Sequence, residues 1–334
     1  MDAFLTGGTG FVGFHVARLL AEGGAHVRCL VRDSHRAGPL RALGVEAVEG
    51  DVRDQVSVRR AMADAEVVFH CAADYRFGAL EPDDLYRTNV DGTNNVLGAA
   101  FDLHVTRVVY TSSVATLAPG RDGSPVDETA RANLDDVVGD YKRSKFLAER
   151  KAEEWAARGL PVVIVSPTTP VGEGDGKPTP TGQIIVDFLN DRMPAYVDTG
   201  LNLVDVRDVA AGHLLAAERG RPGDNYILGN SNLSLKEILD LVGRTVGRHA
   251  PRIKLPHWVP LLLARIEAPV ARWRKRQPRI PLEGVRMSRR QMFFNTSKAI
   301  KELGLPQSRV EPAIDRAVGW FIDNRLATVV RTGW

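Results

Sequence analysis

A glycine-rich turn stands almost at the start of this chain and constrains what the rest can become. Thr6-Gly7-Gly8-Thr9-Gly10-Phe11-Val12-Gly13 follows the apolar run Ala3 to Thr6 and leads into a helical stretch, Gly13 to Glu22. Glycines at this junction let the backbone turn tightly between a strand and a helix. The unpaired amides and the dipole of the helix N-terminus then favour an anion at the turn. The spacing leaves room for a pyrophosphate, so Gly7, Gly10, Phe11, Val12 and Gly13 are candidate residues of a dinucleotide site.

The rest of the first half fits such a site. Short apolar runs at Ala3 to Thr6, His26 to Val31, Glu46 to Glu49, Val67 to His70, Arg107 to Ser112 and Pro161 to Ser166 alternate with helical patterns. The helical stretches include Val56 to Ala63, Asp83 to His104 and Tyr141 to Arg158. This alternation predicts an α/β fold, a doubly wound parallel sheet with ligands at the carboxyl ends of the strands. Residues 1–166 are assigned to this nucleotide-binding domain, and 167–334 mostly to a smaller, partly interleaved cap that binds substrate. Residues 172–182, GEGDGKPTPTG, read as a loop. A strand and a helix near 203–219 are expected to return to the main sheet, and the chain from about Ser231 reads as helical.

A net charge of +3 on 334 residues gives no reason to expect a nucleic-acid partner. Cys29 and Cys71 sit in apolar runs and read as small buried hydrophobes, consistent with a reducing compartment. With no signal peptide and no apolar run near the ~20 residues that span a bilayer, a cytoplasmic location is expected.

The second strand decides which dinucleotide is expected. It ends Cys29-Leu30-Val31-Arg32-Asp33. A carboxylate at this tip hydrogen-bonds the ribose of NAD, whereas a guanidinium can pair with the 2′-phosphate of NADP. Arg32, with His35, Arg36 and Arg41 behind it, favours NADP(H). Asp33, one residue on, keeps NAD(H) open. The fourth strand runs into Ala72 and Ala73, small enough for a cofactor to lie against the backbone, and Pro167 and Thr168 follow the sixth strand at the same end of the sheet.

The candidate reacting groups lie between these strands. Tyr141 and Lys145 are four residues apart on a predicted helix and so share a face. An ammonium beside a phenol favours the phenolate and fits it for proton transfer. Ser113 ends the Thr111-Ser112-Ser113 run after the fifth strand and can stabilise charge on a substrate oxygen, while Ser112 is expected to point into packing. Tyr75, Thr169 and Tyr196 are candidate substrate residues, and no metal site is expected.

The glycine turn, Ser113 and the Tyr141-x-x-x-Lys145 pair resemble, in this order, the extended short-chain dehydrogenase/reductase superfamily, the NAD-dependent epimerase/dehydratases. The resemblance spans essentially the whole chain. Cys29 to Asp33 is similar to the dihydroflavonol reductase branch. Tyr110 to Leu117, Asp140 to Glu149, Lys177 to Gly182 and Met193 to Val204 resemble the hopanoid-associated sugar epimerases. It implies that Asp51 and Val52 contact adenine, that Asn89 meets the cofactor, and that Asp83 to His104 and Tyr141 to Arg158 pair in a homodimer. Three activities follow as expectations: reduction or oxidation at a ketone or secondary alcohol, epimerisation or dehydration with bound cofactor, and non-catalytic dinucleotide sensing. Residues 257–276, HWVPLLLARIEAPVARWRKR, admit two readings, a peripheral membrane contact or a helix of the cap with a solvated basic end.

Overall fold

The fold is described from a computed structural model covering residues 1–75, 82–120, 122–134, 137, 139–273 and 282–328. The strands, in chain order, are β1 Asp2–Thr6, β2 His26–Val31, β3 Glu46–Glu49, β4 Val67–His70, β5 Arg107–Thr111 and β6 Val162–Pro167. They continue as β7 Thr169–Val171, β8 Ala195–Val197, β9 Gly200–Asp205, β10 Asn225–Leu228, β11 Ser231–Ser234 and β12 Ile253–Leu255. The helices are α1 Phe11–Glu22, α2 Gly38–Ala42, α3 Gln55–Met62, α4 Pro82–Tyr86, α5 Gly92–Asp102 and α6 Asp140–Ala157. They continue as α7 Pro180–Leu189, α8 Val206–Arg219, α9 Leu235–Val246, α10 Trp258–Trp273, α11 Leu282–Met287 and α12 Val310–Asp323.

Seven parallel strands form the central sheet in the order β10-β6-β5-β4-β1-β2-β3. Runs such as Val162 to Val165 are buried throughout because both faces of a parallel sheet are covered. On one face α1 and α8 pack through Val16, Leu20, Val209 and Ala210. On the other, α3, α5 and α6 bury Val58, Val96, Leu97, Ala148 and Ala152. Strand order reverses between β1 and β4, which opens the crevice where ligands of such sheets bind.

The second half departs from the sequence reading in several places. The strand near residue 203 does not join the main sheet: β9 pairs with β7 and β11 in a separate three-stranded sheet. The helix after it does return, as α8, and the added strand of the main sheet is β10. Part of the predicted loop is helix α7, whose start is fixed by the Thr179 hydroxyl on the Gly182 amide and by Pro180 in the first turn. Ser231 to Ser234 is strand rather than helix. The cap has its own core, in which α7, α9 and α12 bring together Ile185, Leu189, Ile238, Ile314 and Phe321.

The predicted helix Asp83 to His104 is interrupted by one π-helical turn, Arg87–Asp91. Helix α10 runs continuously through Pro260 and Pro269. Pro260 falls in its first turn, where an amide donor has no partner to lose. Of the basic cluster at its end, Arg274, Lys275 and Arg276 lie outside the described residues.

Candidate active site

The glycine turn and the end of β4 meet at the switch point. Gly7 has φ +78°, and a Cβ there would lie 2.6 Å from the Ala72 amide nitrogen. At Gly13 a Cβ would lie 2.2 Å from the Gly7 carbonyl oxygen, which itself accepts the Gly10 amide at 2.9 Å. Thr6 ties the two loops together, since its hydroxyl receives the Ala72 amide at 3.2 Å. Helix α1 begins at Phe11 and Val12 with no side-chain cap and no acid in its first turn. The positive end of the helix is therefore left for a ligand anion, and the cradle fits a pyrophosphate.

At the adenosine end, Arg32 is exposed just past the tip of β2. The Asp33 carboxylate is turned to the His35 amide, 3.0 Å away, where it caps a short 3-10 turn. Asp51 binds Arg53 through both the backbone amide and the guanidinium, at 2.8–3.0 Å. Partial burial would raise the Asp51 carboxyl, but the bonds from Arg53 and the charge of Arg32 hold it below its ordinary value. Val52 is buried against Gly92, and Ala73 is exposed beside the half-buried Ala72.

Asn89 is buried and ties two segments of the site together. Its amide donates to the Asp74 carbonyl at 2.8 Å and to the Ser144 hydroxyl at 2.9 Å, and its oxygen accepts the Asp74 amide at 2.7 Å. It clamps the loop after β4 to α6, and the π-helical turn is what carries it there.

The reacting groups converge beside that clamp. Tyr141, on the first turn of α6, shares a hydrogen bond with the Ser113 hydroxyl, which also accepts the Ala115 amide at 3.1 Å. Lys145, one turn along, is buried and donates to the Thr111 carbonyl at 2.8 Å and the Tyr110 hydroxyl at 3.3 Å. Burial brings the ammonium down to about 8, with Glu149 and Cys71 opposing the shift. At Tyr141 burial raises the phenol, and the bond to Ser113 only partly offsets it. Ser112 points inward, where it and Thr116 donate to Glu149.

Glu149, His70 and His213 are polar groups of this region that the sequence reading omits. Glu149 lies four residues beyond Lys145, so its place on the same face was readable from spacing. His70 bridges the Thr6 and Thr93 hydroxyls at 2.7 and 3.0 Å, and burial takes it to about 3, hence neutral. His213 holds the Thr111 hydroxyl at 2.9 Å and is likewise buried and neutral. Both histidines sit in apolar runs with no local cue to their partners.

The substrate candidates separate. The Tyr75 hydroxyl donates to the Lys177 carbonyl at 3.0 Å, joining the loop after β4 to the segment before α7, close enough to Tyr141 for the two phenols to interact. Pro167 ends β6; Thr168 binds the Leu228 carbonyl through its amide at 3.0 Å, and Thr169 opens β7 beside Leu203. Tyr196, on β8, is half-buried against the cap core.

The sequence model of the NAD dependent epimerase/dehydratase family matches residues 3–229. A Synechocystis protein named "Putative dihydroflavonol 4-reductase" is 47% identical, over 95% of this chain and 94% of its own. The "Sterol demethylase protein B" of Methylococcus capsulatus is 31% identical, over 96% of this chain and 98% of its own. The crystal structure of gox2253 superposes with a TM-score of 0.86 at 40% identity, covering 98% of this chain and 99% of that one. With the glycine cradle, Ser113, Tyr141 and Lys145 in one crevice, the chain belongs to the NAD dependent epimerase/dehydratase family, enzymes of the extended short-chain dehydrogenase type that bind NAD(P).

Proposed function

We propose that this enzyme is an NADP(H)-dependent reductase of a ketone carried on a large apolar skeleton, running in reverse as a secondary-alcohol dehydrogenase. The observation that carries the proposal is the protonated pair at the site: Tyr141, its phenol raised by burial, and Ser113, bonded to it. A carbonyl oxygen set against both hydroxyls receives two hydrogen bonds, which strengthen as it gains negative charge. Tyr141 then gives up its proton to that oxygen, and the nearby Lys145 ammonium, fixed by the Thr111 carbonyl, stabilises the phenolate left behind. Bound nicotinamide supplies the hydride. Lys145 is also suited to hold the nicotinamide ribose.

The preference for NADP(H) rests on Arg32, exposed where the 2′-phosphate would lie, and on Asp33 being engaged as a cap. The substrate class draws on the relatives named for reductase and sterol chemistry. The test is isotopic. Incubation with deuterium-labelled NADPH and a panel of steroidal and flavonoid ketones should place deuterium on the carbinol carbon of the product. Alcohol formed without label, or label only from NADH, would contradict the proposal.

A further inference from the structure

The segment from Arg252 to Arg290 is charged unlike the rest of the chain. It carries eleven Lys and Arg against two Glu, a net +9, whereas all other residues together carry −6. The start of the same segment also holds a cluster of large apolar side chains that stand in solvent. Ile253, Trp258, Leu262, Leu263 and Ile266 are each 48–63% exposed.

Helix α10 is inverted relative to an ordinary surface helix. Among the described side chains of the helix, Ala264 and Ala271, two turns apart, are the buried ones, while Trp258, Leu262 and Ile266 recur every fourth position on the outer side. At about 100° per residue these three and Arg265 occupy one arc of roughly 100°. A helix that served only to cover the cap would turn the leucine and isoleucine inward. Both ends of the segment are fixed: β12 pairs with β8, His257 bonds the Asp198 carbonyl at 3.0 Å, and the Met292 amide reaches the Gly200 carbonyl at 2.9 Å. Arg252 precedes β12, and Arg286 and Arg289 lie on and after α11, which packs on α10; with Arg265 all four are exposed.

Tryptophan and branched aliphatic side chains flanked by arginines match the boundary between headgroups and acyl chains of an anionic leaflet. No described helix is long and apolar enough to cross a membrane, so the fitting geometry is a helix lying in the interface. The geometry points to the outer face of α10 as a docking surface for an anionic lipid bilayer. The docking surface does not depend on the reductase reading, since it would hold whatever reaction the enzyme catalyses.

Flotation of the full chain with vesicles of phosphatidylcholine, with or without phosphatidylglycerol, tests it. The protein should float with the anionic vesicles alone, and less as salt rises from about 0.1 M to 1 M and shortens the screening length. Arg265→Glu with Arg289→Glu should lower the partition coefficient by about thirty-fold or more, as expected for two interfacial arginines. Leu262→Glu with Ile266→Glu should abolish flotation while leaving NADPH binding unchanged. Wild-type protein that ignores anionic vesicles, or variants that float as well as it does, would overturn the proposal. So would a Leu262→Glu/Ile266→Glu variant whose mass by light scattering is half that of wild type, because the face would then join two copies of the chain.

Discussion

Tyr141 and Lys145 share one turn of α6, and burial moves them in opposite directions, the phenol up and the ammonium down. Each shift has a kinetic consequence. Tyr141→Phe should lower turnover by about 10²–10⁴-fold, the usual worth of a positioned acid, with little change in NADPH affinity. Lys145→Met should damage both turnover and affinity. The pH profile follows from the lysine. Below about 8 it is an ammonium, so ketone reduction is fully supported there and should decline as pH rises through that value. The phenol lies above its ordinary range and adds no further limb near neutrality. A kcat/KM profile flat well beyond that point would remove Lys145 from the account. At the other end of the cofactor site, Arg32→Asp should weaken NADPH by about 1.5–3 kcal/mol, the worth of hydrogen bonds to a charged group, and improve NADH. Equal affinities for the two cofactors in the wild type, measured by titration, would count against Arg32.

The elements explain why part of this was readable in the sequence and part was not. Central strands such as β4 and β6 announce themselves as apolar runs, because a parallel sheet is covered on both faces, whereas the edge strand β3, Glu46–Glu49, is only half apolar. The glycine turn is equally legible, since 2.2 Å from a would-be Gly13 Cβ to the Gly7 carbonyl leaves no alternative to glycine. Gly13→Ala should therefore abolish cofactor binding. The short strand β7 gave a weaker signal, since three residues are too few for periodicity to register. Helix α7 was hidden by Pro, Thr and Gly that read as a loop, although Thr179 and Pro180 are start signals for a helix. The π-helical turn has no signature in sequence, and it is what gives Asn89 to the Asp74 loop and to Ser144. Asn89→Ala removes three hydrogen bonds, one buried and two part-buried, each worth about 1 kcal/mol. It should lower the melting temperature and raise KM for the ketone more than it lowers kcat.

At the scale of the molecule, the chain crosses between its two parts more than once. It leaves the main sheet after β6, builds β7, α7 and β9, returns through α8 and β10, and then completes the cap with β11, α9 and α12. A crevice built this way draws Tyr75 and the Asp175 to Thr179 segment to the mouth of the site, where Asp175 is buried and bound by Thr179. Helices α5 and α6 also present Phe101 and Trp155 side by side, 5.4 Å apart and with Phe101 40% exposed. Packing of these helices across a two-fold axis would cover that pair. Light scattering should give about twice 36.5 kDa, and Phe101→Glu should shift it toward the monomer. Net reduction by the whole enzyme is tested by NADPH oxidation followed by absorbance while product is counted in the same sample. One NADPH consumed for each carbonyl reduced is the predicted result. Substrate converted with no net change in NADPH would contradict it and reveal an epimerase or dehydratase that returns its hydride.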